Sequence, residues 1–371
     1  MEKKTGGILN NTSFLQQAVT LIQTAREQVV RQTNSLMVFT YFHLGKLIVE
    51  QEQGGSSKAA YGEAIIKQLS KALTKQFGKG FSEDNLENMR EFYWLYKSKM
   101  EQLAISGTVS RKSIGGSIPQ TTSPKSFSIS ETLSRVSFVE LFPLSWSHYV
   151  TLTRIKDASE RSFYEIETTQ NNWSVRELKR QFDSGLFERL TLSKDKTKIK
   201  QLAEKGQLIE KPEDVLKSPY ILEFLGLEEK SSYTESDLES AIIGKIEHFL
   251  LEMGKGFLFG GRQVRFTFDE ENFFVDLVLY NRLLQCFVLV DLKIGKLKHQ
   301  DIGQMQMYVN YYDRFVKQEF EKPTVGIIIC KDKSDAVVEI TLPKDNSSIF
   351  AKEYKLYLPS KAALKAVIKE T

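Results

Sequence analysis

Two apolar stretches, residues 273–280 (FFVDLVLY) and 285–292 (QCFVLVDL), each carry one acid among Phe, Val and Leu: Asp276 in the first and Asp291 in the second. An ionised carboxylate in such surroundings is costly unless it is paired or binds a metal. Lys293 follows Asp291 at i+2, and because a strand repeats every two residues, the two side chains leave the same face. The polar break at Asn281 and Arg282 reads as the turn of an antiparallel hairpin. An even number of loop residues places Asp276 opposite Leu289 or Asp291, on that same face. One face then holds two carboxylates and an ammonium, a hard-cation site suited to Mg²⁺ or Mn²⁺ with a lysine beside it to place or activate a water. The bland alternative is an ion pair at the end of a sheet.

The run GQMQMYVNYYD, after KIGKLKHQDI, sets Gln304 and Tyr308 one helical turn apart. An Asp on one strand and an acid-x-Lys on the next, here VDL and DLK, resembles the active-site pattern of the PD-(D/E)xK nuclease superfamily. Gln304 and Tyr308 are similar to the Gln-xxx-Tyr motif of RecB-like nucleases. The wider chain resembles the YhcG family, a group described largely as a domain of unknown function with a C-terminal PD-(D/E)xK domain. The stretches GFLFGGRQ, LSWSHYVTLTRI and NNWSVRELKRQ extend that resemblance over most of the sequence. Asp291 departs from the usual Glu of the motif and is one methylene shorter.

The resemblance implies a restriction-endonuclease-like α/β core with a mixed sheet, preceded by an all-helical domain. It implies hydrolysis of phosphodiester bonds, with DNA as the substrate. A Glu from the helix before the Asp276 strand commonly joins the metal site in this superfamily; Glu239 holds that place, with Glu247 as the alternative. Asp276 and Asp291, with Glu239 directly or through water, are then the metal ligands, while Gln304 and Tyr308 steady the site or touch the substrate. Arg262 and Gln263 lie where the resemblance is strong and suit a phosphate contact. Lys296 and Lys298 are placed to meet flanking phosphates.

The 371 residues are 41% hydrophobic and 26% charged, an ordinary globular composition with chain enough for two cores. No apolar run reaches membrane-spanning length, and the N-terminus lacks a signal-peptide core, so a cytoplasmic protein without a membrane partner is expected. Cys286 and Cys330 sit in apolar runs and read as buried hydrophobes; His43, His148, His248 and His299 show no ligand spacing. Residues 1–190 carry 24 basic against 19 acidic side chains, net +5, and the remainder 27 against 28, net −1. The positive excess therefore lies outside the expected nuclease domain.

Residues 14–31 and 36–51 read as two amphipathic helices, residues 61–77 as a third, and a fourth runs from the Ser82 cap to about Lys97. This spacing invites a DNA-reading interpretation through Arg90, Lys97 and Lys99. The acids that open the fourth helix and its packing aromatics favour instead a bundle that docks onto the nuclease domain, another subunit or a protein partner. Residues 106–134 are rich in Ser, Thr and Gly and read as a flexible insertion within a helical domain of residues 1–190. Helices are expected again over 143–155, 158–169 and from Trp173 to about Leu190, the last opened by Ser174 and Glu177 and exposing Arg176, Lys179 and Arg180. Residues 191–219 form a charged connector, and 220–371 the nuclease domain. The competing class of function is a non-catalytic nucleic-acid-binding or assembly module on the same fold.

Overall fold

The computed structural model describes residues 11–54, 59–111, 141–192, 196–228 and 233–370. They fall into two units, Met1–Lys156 and Asp157–Thr371.

The first unit is helical. Helix α1 (Asn11–Gly54) is continuous where the periodicity predicted two helices, because the polar bridge Gln32-Thr33-Asn34-Ser35 contains no Gly or Pro to break it. Helix α2 (Ala59–Phe77) follows the expected course. Helix α3 (Glu83–Arg111) begins as predicted, with Asn85 N–H donating to Ser82 Oγ at 3.3 Å, but runs past Lys97. Residues 112–134 of the predicted insertion lie outside the described residues. Helix α4 (Trp146–Thr153) brings Trp146 against α3, where its indole donates to Asn85 Oδ1 at 2.9 Å. Phe42, Phe92, Phe142 and Tyr149 form an aromatic core with edge-on and tilted contacts. Helices α1 and α3 approach so closely at Gly45 that a Cβ there would lie 2.0 Å from Met89 O. Arg90, read from sequence as an exposed cation, is paired with Glu52 at 2.9 Å.

The second unit opens with α5 (Ala158–Asn171), capped by Asp157, and α6 (Val175–Asp183), capped by Ser174 as its sequence announces. The predicted run to Leu190 breaks at Ser184 and Gly185, and α7 (Leu186–Thr191) starts anew. Residues 158–190, assigned from sequence to the N-terminal domain, cluster with this second unit. Arg189, fully buried, pairs with the equally buried Glu252 and donates to Pro219 O. Arg180 is not on an exposed face: it lies 3.8 Å from Glu252 and 3.7 Å from Glu223. The predicted connector folds as well, with α8 (Lys196–Lys205) burying Leu202 and Ala203, and Val215 and Leu216 joining the core.

The sheet order is β1-β6-β5-β4-β3-β2, comprising β1 (Tyr220–Ile221), β2 (Phe257–Phe268), β3 (Glu271–Asn281), β4 (Cys286–Lys296), β5 (Val325–Asp332) and β6 (Ile349–Lys355). Strands β2, β3 and β4 form antiparallel pairs; β4, β5, β6 and β1 are parallel. The sheet is therefore mixed, as predicted. Alternate residues feed two cores: Leu277, Leu279, Val288, Val290, Ile327 and Ile329 face one, and Val278, Leu289 and Ile328 the other. Helices α9 (Glu235–Gly244) and α10 (Ile246–Met253), read from sequence as one, are separated by Lys245 and cover the first. Helix α11 (His299–Tyr311) crosses over the second and returns the chain to β5, packing so tightly that a Cβ on Gly326 would come within 2.6 Å of Met305. Helix α12 (Asp335–Thr341) precedes β6, and α13 (Lys361–Glu370) is capped by Ser360.

Candidate active site

The β3–β4 loop has four residues, 282–285, and its register pairs Leu277 with Val290. The ladder ends there, and Asp276 and Asp291 are the next residues of β3 and β4, adjoining that last pair. On the other side, Arg262 faces Leu277 and Val264 faces Val275, so Gln263 lies opposite Asp276. Gln263, Asp276 and Asp291 thus stand in a row across three strands.

Each is held by a specific bond. The Leu292 N–H, between Asp291 and Lys293 in sequence, donates to Asp276 Oδ2 at 2.8 Å. Gln263 Nε2 donates to Asp276 Oδ1 at 3.0 Å and to Glu239 Oε2, on α9, at 2.7 Å. Its backbone is left-handed, with φ 44°, a conformation that a residue with a side chain adopts only when its surroundings hold it there. Lys293 Nζ lies 3.0 Å from Asp291 Oδ2 and 3.7 Å from Glu235 Oε2, one turn before Glu239 on the same helix.

The electrostatics follow from burial. Asp291 is only 2% exposed, and burial, then the neighbouring Asp276 charge, pushes its carboxyl up to about 7 against the pull of Lys293. Burial opposes charge on Lys293, but Asp291, Glu235 and Asp276 outweigh it and hold the ammonium protonated above the usual lysine range. Among the described residues, Asp291 Oδ2 has the Lys293 ammonium at 3.0 Å and no further donor. A buried carboxylate oxygen in that condition, beside a second carboxylate, has the chemistry of a cation ligand.

The predicted site residues do not all converge. Glu239 reaches Asp276 through the Gln263 amide, and among the described residues no three His, Cys, Asp or Glu side chains are drawn together tightly enough to hold a metal ion. Glu247, the alternative, is exposed on α10. Gln304 donates to Tyr308 Oη, and Tyr308 donates to Phe274 O at 2.8 Å, so this pair ties α11 to β3 just before Asp276. Burial raises the Tyr308 hydroxyl, with Asp291 and Asp276 adding to the shift. Arg262, Lys296 and Lys298 are exposed, and Lys298 N–H is engaged in capping α11 through Asp301. Glu235 was missed by the sequence reading, though its spacing of four from Glu239 puts both on one helix face. Gln263 was read as a phosphate contact, whereas it bridges two acids.

The YhcG PDDEXK nuclease domain description matches residues 213–369, and the DUF1016 N-terminal domain description matches residues 17–189. Over 346 residues, 93% of this chain and 90% of the relative, the sequence is 41% identical to the Escherichia coli (strain K12) protein named "Putative nuclease YhcG". A solved structure described as a repair endonuclease from Pyrococcus abyssi is similar over 35% of this chain and 50% of that one, at 18% identity and a TM-score of 0.23, too slight a likeness to bear on the site.

Proposed function

The chain belongs to the YhcG family of PDDEXK nuclease-domain proteins, and from that membership we propose that it is a metal-dependent nuclease hydrolysing phosphodiester bonds of DNA. The observation that carries the reading is the meeting of two carboxylates from adjacent strands, Asp276 and Asp291, beside the Lys293 ammonium. A structural ion pair needs one acid; the second, the half-buried Asp276, raises the cost of charge on the buried Asp291.

Asp276 and Asp291 would hold Mg²⁺ or Mn²⁺, with Glu239 acting from behind Gln263. Such an ion, when bound, polarises a phosphoryl oxygen and makes water acidic enough to attack at neutral pH. Lys293, held protonated, serves as a donor that orients the attacking water and stabilises charge on the phosphorane; of the two roles its sequence position suggested, the base is disfavoured. Leu292 N–H fixes the Asp276 carboxylate, and Gln263 fixes Glu239, so neither acid has to find its rotamer during the reaction. Gln304 and Tyr308 hold β3 against α11. Arg262, Lys296 and Lys298, all exposed, suit phosphates flanking the scissile bond.

The N-terminal helices fit a protein partner or a second copy of the chain: α1 exposes Val19, Leu21, Ile22 and Val29, each at least half accessible. Among the described residues no helix is long and apolar enough to cross a membrane.

The test uses full-length protein with plasmid and with single-stranded DNA in Mg²⁺ or Mn²⁺. Cleavage by the wild type and none by Asp291→Ala or Lys293→Ala supports the assignment; equal cleavage by the variants removes it.

A further inference from the structure

Strand β2, helix α11 and the turn that follows it (Tyr312–Val316) line an open cavity of about 340 Å³ that the catalytic reading does not use. Its floor is a stack of rings, Phe266 on Tyr311 with centroids 4.1 Å apart and planes at 23°. Phe315, 5.2 Å from Tyr311, and Phe268 line it further and are 63% and 50% exposed. Solvent-facing rings at this density mark a binding surface. The rim is polar. Exposed Arg314 and Asn310 stand on it, and Arg314 has no ion-pair partner among the described residues.

Flat aromatic faces with a cation and an amide at the edge are complementary to a nucleobase and its phosphate. The volume lies near the lower end of the about 300–1,000 Å³ typical of small-ligand pockets, which suits one or two bases rather than a partner helix. The cavity is also coupled to the carboxylates. Tyr308 meets Phe266 edge-on at 5.5 Å, and its hydroxyl donates to the carbonyl of Phe274, two residues before Asp276.

We propose that this aromatic groove binds an unpaired base of the DNA strand being cut, so that the substrate is single-stranded DNA or a duplex with an unpaired end. The inference rests on the nuclease reading and narrows it. A base within a duplex has both faces covered by its neighbours and cannot enter without being unstacked.

The experiment measures binding of full-length protein, in EDTA to prevent cutting, to a labelled single-stranded oligonucleotide and to a blunt duplex of the same sequence. Phe268→Ala and Phe315→Ala alter exposed rings, and their melting temperatures check the fold. Each is expected to weaken single-strand binding roughly tenfold, as loss of one stacking partner does, and to leave blunt-duplex binding unchanged. Phe315→Trp, which keeps a stacking face, is expected to restore it. An abasic nucleotide should reproduce the loss in the wild type and add nothing in Phe315→Ala. Normal cleavage and binding with no preferential loss in the variants overturns the groove while sparing the nuclease. A wild type that binds neither DNA overturns the groove, and one that also cuts neither in Mg²⁺ or Mn²⁺ overturns the nuclease reading with it. Self-association abolished by Phe315→Ala, with DNA binding intact, gives the groove to a second copy and overturns the proposal.

Discussion

The main-chain N–H of Leu292 donates to Asp276 Oδ2 at 2.8 Å, so the acid of one strand is anchored at the residue between Asp291 and Lys293 on the next. That anchor leaves the two carboxylates side by side without requiring a cation, and the strain appears on Asp291, whose carboxyl is pushed up to about 7 by burial first and by Asp276 second.

A pH dependence follows. In the unfolded chain an Asp releases its proton near pH 3.9, so between about pH 4 and pH 7 the folded state holds a proton that the unfolded state has lost. Stability from this group is greatest below that window and declines as pH rises through it. In EDTA, Asp291→Asn, which removes the titration, is expected to gain on the wild type across the window, by at most about 1.4 kcal/mol per pH unit. Thermal melts at about pH 4, 6 and 8 measure it. A difference that stays constant means that Lys293 keeps Asp291 ionised throughout.

Gln263 offers a second test, because its backbone and its side chain make separate demands. The left-handed φ of 44° favours glycine, so Gln263→Gly should be more stable than Gln263→Ala by about 1 kcal/mol. Both lose the bridge between Asp276 and Glu239, and plasmid cleavage should fall in both. Cleavage at the wild-type rate in either would show that the bridge does not serve the site.

Gly326 sets the distance between β5 and α11. Its replacement by Ala presses on Met305 and Val309, and overpacking of this kind costs about 1–3 kcal/mol. The Gly326→Ala, Met305→Ala double variant should be less destabilised than the sum of the singles, as denaturant unfolding would reveal. Strict additivity would mean that the methionine simply moves aside.

What was legible in the sequence was what repeats locally. Acids in apolar strands, the spacing of Asp291 and Lys293, and a four-residue loop suffice to bring Asp276, Asp291 and Lys293 together. Gln263 was opaque, because a left-handed residue inside a strand redirects a side chain that strand periodicity alone would aim elsewhere. The tie of residues 158–191 to the sheet was opaque for a different reason: it includes a pairing between Arg189 and Glu252 across 63 residues, and nothing near Arg189 marks it as buried.

That pairing yields the last prediction. Glu252 is a single buried acid facing Arg189, Arg180 and Lys217; burial disfavours its charge, yet the three cations hold its carboxyl below the usual range. It also accepts from Ile221 N–H at 3.0 Å, on the strand that closes the sheet. Glu252→Gln leaves the buried Arg189 and Lys217 without their counter-ion, while Arg180 keeps Glu223, and should cost about 3–5 kcal/mol, the range for breaking a buried pair. Arg189→Met should cost less, since Arg180 and Lys217 still face Glu252. By the same logic a fragment beginning at residue 191 loses both arginines and should unfold at a lower denaturant concentration than one beginning at Asp157, measured side by side by circular dichroism. Equal midpoints would show that the helices from Ala158 to Thr191 are not integral to the C-terminal unit and would return the boundary to the position read from the sequence.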